Sequence, residues 1–352
     1  MSAVGRARID VDLFAQRIGR RGHRLTGRYG PRGLILIYHR VTTPGLDPWE
    51  LAVSPQHFAE QLEVLRRAYA PTHLRSLRAA LGAPRVPVAL TFDDGFADNL
   101  LNALPILERL DTPATIFVVP GIVNSEREFW WDELERFVFE RDDLPARLTM
   151  QVAGRTTAWD VPPLDDGRAA GHGDGRWRGW EPPPTPRHAL YIELWRTLQA
   201  AQPDEREPAI ESLWQNVGAR PVARESHRGV TDAELAELGA SPCIEIGAHT
   251  LSHVRLSSLS AAGQRAEIAG SKRWLEERLG RRVNTFSYPH GGPGDFTSRT
   301  AELVREAGFR LAFTTYPGLV RRWSNHFLLP RVLVGDWDGD EFERRMRDWL
   351  PG

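Results

Sequence analysis

The sequence predicts an α/β fold, a distorted and incomplete (β/α)7-type barrel carrying a helical, Trp-rich insertion. Three observations predict it. Short apolar runs rich in β-branched and aromatic residues recur at 34–39, 87–92, 114–119, 243–248, 284–289, 311–315 and 328–334. These runs lack strict polar alternation, as strands do when both faces are covered. Helical patterns lie between them, so successive strands are joined by crossovers and run parallel. An open doubly wound sheet is the competing arrangement. No glycine-rich turn follows the first run, however, as a dinucleotide site would require.

Residues 1–32 form a basic N-terminal extension, with eight arginines between Arg6 and Arg32 against Asp10 and Asp12. Such a segment suits peripheral contact with an anionic membrane surface, or simply a solvated arm. It lacks the apolar core of a secretory signal, and no run reaches transmembrane length, so a cytoplasmic location is expected. The barrel then occupies 33–350. Its first helical pattern, "SPQHFAEQLEVLRRAY", opens on Ser54 as N-cap with Pro55 at the first helical position. Later helices end on Gly280 and Gly308, the residue type that closes a helix in the left-handed region.

The strand–helix rhythm breaks at about 125–230. This interval starts "REFWWDELERFVFE", crosses a Gly-, Pro- and Asp-rich stretch, and resumes as "RHALYIELWRTLQAA". Seven of the twelve tryptophans fall between Trp130 and Trp214, which marks a helical insertion on one rim with its own apolar contacts. Trp131, in the "WWD" pair, is a candidate for stacking on a sugar ring.

Composition excludes several function classes. A chain of 352 residues with 41% hydrophobic and 26% charged residues has the make-up of a globular domain with a full core. A formal charge of −1 gives no electrostatic footprint for nucleic acid. The single cysteine, Cys243, rules out an internal disulfide and a multi-cysteine metal site, and is expected to be a small buried residue. Lys272 is the sole lysine, so cationic chemistry is left almost entirely to arginine.

Two strand ends carry chemistry. "VALTFDDG" drives an apolar strand into adjacent carboxylates, Asp93 and Asp94, which repel each other and resist desolvation. A cation would offset both costs. "IEIGAHTLSH" ends a second strand with His249 and His253 four residues apart, a spacing that lets both imidazoles face one divalent ion. In a β/α barrel, strand C-termini converge on one rim, where the two clusters can meet. One aspartate and two histidines leave coordination positions open, as catalytic sites do. The second aspartate is then placed to act as a base.

"TFDDG" followed by "HTLSH" resembles the polysaccharide deacetylase family, carbohydrate esterases that include chitin, chitooligosaccharide and peptidoglycan N-deacetylases. The resemblance implies a distorted, incomplete β/α barrel, with Asp93 as general base and Asp94, His249 and His253 as ligands of one divalent metal. Zinc is the first expectation, with Co2+, Ni2+, Mn2+ and Fe2+ as alternatives. A third family motif aligns with "SYPHG" at 287–291, where Ser287 replaces the usual arginine and His290 the usual aromatic. Tyr288 and His290 are thereby assigned to the oxyanion and substrate, His290 through its backbone N–H. The late Leu-x-His motif is missing. "LILIYHRV" at 34–41 instead resembles the permuted poly-N-acetylglucosamine deacetylase subgroup, which makes His39 the candidate general acid. Arg331 in "LPRVLV" is the candidate replacement for the missing arginine, paired with Asp93.

The activity implied is removal of an N-acyl group, N-acetyl first, from an amino sugar or glycoconjugate. A deformylase or a cyclic-imide hydrolase would use the same residues. Two readings from other classes stay open: a non-haem iron oxygenase, which also uses two histidines and a carboxylate, and a non-catalytic carbohydrate-binding module.

Overall fold

The structure, a computed structural model, describes residues 30–43, 45–152, 154–163 and 177–350. The basic extension therefore lies outside the described residues up to position 29, and so does 164–176 of the Gly- and Asp-rich stretch. No helix among the described residues is long and apolar enough to cross a membrane.

Parallel strands supply the scaffold. β1 (Arg32–Tyr38), β2 (Pro87–Phe92) and β3 (Ala114–Val118) are buried almost throughout. The insertion follows, containing strands β4 (Arg147–Val152) and β5 (Arg155–Asp160). β6 (Ile244–Ala248), β7 (Thr285–Ser287) and β8 (Leu311–Phe313) then resume the parallel set. The sheet runs β8-β7-β6-β3-β2-β1, and a short antiparallel strand, β9 (Val320–Arg321), pairs with the start of β1. Leu329 bridges Phe313 in parallel, and three residues later β10 (Val332–Leu333) pairs in parallel with Leu36 and Ile37 of β1. One segment thus touches both edges, curling the sheet into the irregular barrel expected. The expected run 328–334 keeps only two residues as strand, because it must serve two neighbours in succession.

Burial on both faces explains the absence of alternation. Leu34, Leu36, Leu90, Ile116 and Ile246 face a large core under the helices, whereas Ile35, Ala89, Phe117 and Phe313 pack inside the barrel. β3 and β6 approach closely at Gly247, where a Cβ would lie 2.4 Å from the Phe117 ring. Glycine is required there, directly before the strand end that carries His249.

Helices α1 (Pro55–Ala68), α2 (Leu104–Arg109) and α3 (Trp130–Phe139) precede the hairpin. Ser54 caps α1 and also donates its hydroxyl to Asp336 at 2.8 Å. α4 (Pro186–Ala200) and α5 (Pro203–Gln215) complete the insertion. α6 (Asp232–Ala240), α7 (Ala261–Leu279), α8 (Ser298–Glu306) and α9 (Gly339–Trp349) cover the outside of the barrel. Gly280 closes α7 with φ of 62°, as its position in the sequence suggests. Cys243 is half-buried, not buried as expected, because it precedes β6 at the sheet margin; burial still pushes its thiol pKa up.

The insertion departs from expectation in one respect: it is not all helical. β4 and β5 form an antiparallel hairpin whose Leu148 and Met150 are buried while Arg147, Thr149 and Gln151 are exposed. That alternation is legible in "RLTMQV" and signals a strand with one covered face. Leu148 and Met150 join Leu134, Phe137, Leu194, Leu213 and Trp214 in a separate core, to which Leu46 and Trp49 of the barrel also belong.

His188 sits in this core against Trp177 and Phe139, with ring centroids 4.5 and 4.8 Å away. Its Nδ1 lies 2.8 Å from Thr185 Oγ1, while its Nε2 is buried without a partner. Burial accordingly lowers its pKa from 6.5 to about 4. The unfolded chain binds more protons on His188 between those values, so its effect is to make stability fall as pH drops below about 6.5. The expected result is a shallower fall between pH 7.5 and 5 for His188→Gln than for the parent, read by urea unfolding at each pH. Equal slopes would show that His188 titrates normally.

Candidate metal centre and active site

The strand ends bring the two motifs together. Asp93 and Asp94 follow β2, and His249 and His253 follow β6, with β3 between the two strands. Asp94 takes a positive φ of 78°, and Gly95 continues the turn at 79°. Aspartate tolerates the left-handed region better than most side chains. The reversal turns the Asp94 carboxylate toward the histidines. His253 and His290 also have positive φ, 52° and 60°. Sparsely populated backbone conformations at three neighbouring site residues cost energy that the rest of the fold must offset, a pattern concentrated at functional sites.

Asp94 Oδ1 lies 3.5 Å from His249 Nε2 and 3.3 Å from His253 Nε2. One donor atom from each residue falls within 4.8 Å of the others, and all three side chains are buried. His249 Nδ1 lies 2.8 Å from the Ser287 carbonyl oxygen, so it donates there and leaves Nε2 as a lone pair facing Asp94. Burial lowers the pKa of both histidines; for His253 the neighbouring His290 and His249 lower it further. Neutral imidazole is the ligating form. Burial, then Asp93 and Asp132, pushes the Asp94 pKa well above the ordinary carboxylate value, and its Oδ1 has no hydrogen-bond donor. A buried carboxylate oxygen without a donor, with two neutral imidazole Nε2 atoms 3.3 and 3.5 Å away, has the composition of a divalent-cation site.

Asp93 is held differently. Arg331 Nη1 and Nη2 donate to its Oδ1 and Oδ2, each at 2.8 Å. The guanidinium also donates to Thr91 Oγ1 at 3.1 Å, Ser287 Oγ at 2.7 Å and the Thr314 carbonyl at 3.0 Å. Arg331 is fully buried, and all three of its nitrogens are engaged. Burial acts to raise the Asp93 pKa, but the Arg331 charge, then His249 and the Arg331 hydrogen bonds, outweigh it and hold the carboxyl far below its usual range. Asp93 stays ionised. Ser287, which stands in the motif position usually held by arginine, donates to Asp93 Oδ2 at 3.2 Å and so joins the network.

One cavity contains the site. Asp93, Asp94, His249, His253, His39 and His290 line its floor, together with Arg331. His39 follows β1 and is half-buried there, its carbonyl accepting a hydrogen bond from Asn99. His290 packs edge-on against His253 with centroids 5.0 Å apart, and Thr315 Oγ1 donates to its carbonyl at 2.8 Å. Trp49, Trp130, Trp131 and Trp195 form an aromatic wall.

Two of the expected site residues are placed otherwise. Tyr288 does not line the cavity: its side chain is fully buried, its hydroxyl donates to the Phe327 carbonyl at 3.0 Å, and its ring stacks on Phe296. Tyr288 and cavity-lining His290 lie two positions apart, and the left-handed φ of 60° at His290 breaks the extended alternation that would put both on one face. Trp131 reaches the cavity, but one face is covered by Phe129, stacked at 4.5 Å and 7°. It is a wall against His253, whose ring lies 5.0 Å away, and not an open stacking platform. Trp130 and Trp195 are half-buried where Trp131 is buried, and Arg206 lies 4.9 Å over the Trp130 ring. Trp49, stacked on Trp195 at 4.2 Å, comes from a barrel loop with no motif around it, which is why sequence reasoning missed it.

A sequence profile described as polysaccharide deacetylase matches residues 81–143 and 215–312. The matched parts contain both motifs, and the gap between them falls inside the insertion. His39 and Arg331 lie outside the match. Among curated proteins, YxkH of Bacillus subtilis (strain 168), named for the polysaccharide deacetylases, is 30% identical over 105 residues, which are 30% of this chain and 36% of that protein. The chain thus aligns with about a third of that relative's length. The Streptococcus pyogenes deacetylase PplD, solved in complex with acetate, is similar with a TM-score of 0.54 at 18% identity, covering 90% of this chain and 99% of that one. IcaB from Ammonifex degensii is similar with a TM-score of 0.54 at 20% identity, covering 92% and 98%. At those identities the structures bear on the fold, and the profile bears on the motifs. With the Asp-Asp and His-x-x-x-His strand ends inside the matched segments and converging on one cavity, residues 81–143 and 215–312 carry a polysaccharide deacetylase domain.

Proposed function

We propose that this chain is a metal-dependent N-deacetylase, removing an acetyl group from the nitrogen of an amino sugar within a glycoconjugate or oligosaccharide. The observation that carries the reading is the split of one carboxylate pair. Asp94 faces two neutral imidazoles, while Asp93, one residue away, is locked as an anion by Arg331.

Asp94, His249 and His253 would hold the ion, zinc first by their donor set. When bound, such an ion supplies Lewis-acid polarisation of the acyl carbonyl and lowers the pKa of water in its vicinity. Asp93 accepts the proton of the attacking water, and the Arg331 fork fixes the direction in which its carboxylate points. Its depressed pKa keeps it in the deprotonated form that can accept a proton. His39, on the same cavity floor, delivers a proton to the departing nitrogen, so the amine leaves neutral. The backbone N–H of His290 is assigned to the developing oxyanion, in a peptide fixed by Thr315. Half-buried Trp130 and Trp195 offer ring faces to the sugar.

The test is a panel of N-acetyl and N-formyl amino sugars, from monosaccharide to oligomer, with released acid and free amine read by mass spectrometry. The expected result is acetate release by the zinc- or cobalt-loaded protein, loss on chelation, and recovery on reloading. Asp94→Ala should lose the ion held with His249 and His253, read by elemental analysis against the parent, and should lose turnover. Retention of full metal affinity by Asp94→Ala, or no acyl release from any substrate by metal-loaded protein, would overturn the reading.

A further inference from the structure

We infer a second divalent-cation site, formed by Asp132, Glu135 and His227, separate from the Asp94–His249–His253 centre. Asp132 and Glu135 lie three residues apart on α3, so they share one helix face. His227 comes from the loop that leads to α6. One donor atom from each falls within 4.8 Å of the other two, and all three residues are buried, with Asp132 6% exposed.

An independent observation shows that a partner is missing. Asp132 Oδ2 is buried and has no hydrogen-bond partner. A buried, unsatisfied carboxylate oxygen is costly, and natural folds seldom leave one. The nearby guanidinium groups are already committed. Arg40 donates to Asp98 Oδ2 at 3.2 Å and to the Ser226 carbonyl. Arg224 donates to both oxygens of Glu128 at 2.8 and 2.9 Å and to Glu140, reaching Glu135 only at 3.6 Å. Two carboxylates and one imidazole therefore converge with an incomplete set of counter-charges.

The donor chemistry suits a metal. Burial, helped by the Arg40 and Arg224 charges, lowers the His227 pKa to about 2, so its imidazole is neutral. Burial raises Asp132 to about 7 and raises Glu135 as well, outweighing the charges of Arg40 and Arg224 that act to lower them. A nitrogen and two carboxylate oxygens form a set used by Zn2+, Mn2+ and Fe2+. Location gives the ion a structural consequence. Asp132 directly follows Trp131, whose ring abuts His253, so cross-linking α3 to the 227 loop fixes the wall of the active-site cavity.

The test is metal stoichiometry on the full chain, stripped with chelator, reloaded with Zn2+ or Co2+, and gel-filtered before elemental analysis. The parent is expected to hold two ions, Asp132→Asn/His227→Gln one, and His249→Ala/His253→Ala one. The ion left in the last variant should raise its Tm, and adding Asp132→Asn to that variant should abolish the rise. One ion in the parent, lost in His249→Ala/His253→Ala, would overturn the inference and leave the carboxyls as proton holders. If the Asp132/His227 variant does not fold by circular dichroism, Glu135→Gln serves instead, with a changed visible spectrum of its Co2+ expected and an unchanged one counting against the site. Failure of the deacetylase reading looks different: the parent then holds one ion that survives His249→Ala/His253→Ala and is lost with Asp132→Asn.

Discussion

Asp93→Asn is expected to lower kcat for amide hydrolysis by about two to four orders of magnitude, the usual contribution of a positioned general base. Asparagine has nearly the same shape but cannot accept the proton of the attacking water. It leaves Asp94, His249 and His253 in place, so bound metal should be unchanged by elemental analysis. This separates the variant from Asp94→Ala, which loses the ion of that centre too. Stability should also fall, because the amide offers only one acceptor to a guanidinium that now donates twice to Asp93. Activity is therefore best read well below the variant's Tm. An Asp93→Asn protein with parental kcat and full metal would remove Asp93 from the reaction.

Arg331→Met carries the largest expected loss of stability, about 3–5 kcal/mol by the usual cost of breaking one half of a buried ion pair. The pair is 0% and 3% exposed, so solvent does little to screen it. Methionine approximates the length of the arginine stem but leaves the Asp93 carboxylate buried with only the Ser287 hydroxyl donating to it. Thr91 loses its guanidinium donor, although its own hydroxyl still donates to the Leu36 carbonyl. The double variant Asp93→Asn/Arg331→Met tests the cause. If the loss comes from an uncompensated charge, the double variant recovers part of it relative to Arg331→Met, as urea unfolding would show. Additive losses would mean that Arg331 acts through packing, for example over the Phe117 ring 5.5 Å away.

The parallel strands were readable because burial on both faces forces continuous apolar composition, which nothing else in a chain of this charge produces so often. The hairpin at 147–160 was equally readable from its alternation, yet the tryptophan-rich and helical surroundings masked it. The site divides along another line. Adjacent Asp93 and Asp94, and His249 with His253, are local patterns whose chemistry is strained without a common partner, so they stand out in the sequence. Tyr288 stands two positions before cavity-lining His290 but points into the core, and nothing local in the sequence marked the left-handed backbone at His290 that breaks the alternation. Asp132, Glu135 and His227 offer no such pattern: two of them lie on an ordinary acidic helix, and the third is 92 positions further along.

The amino-acid sequence by itself determined that apolar strands end on carboxylates and imidazoles, because like charges driven toward a core need a cation. Tertiary structure alone decided which carboxylate faces the imidazoles. A positive φ at Asp94 turns it toward the histidines, while the Arg331 fork, 238 residues away in the chain, holds Asp93 apart as an anion. Side-chain identity sets what a group can do. The backbone reversal and the distant guanidinium set which of two identical groups does it.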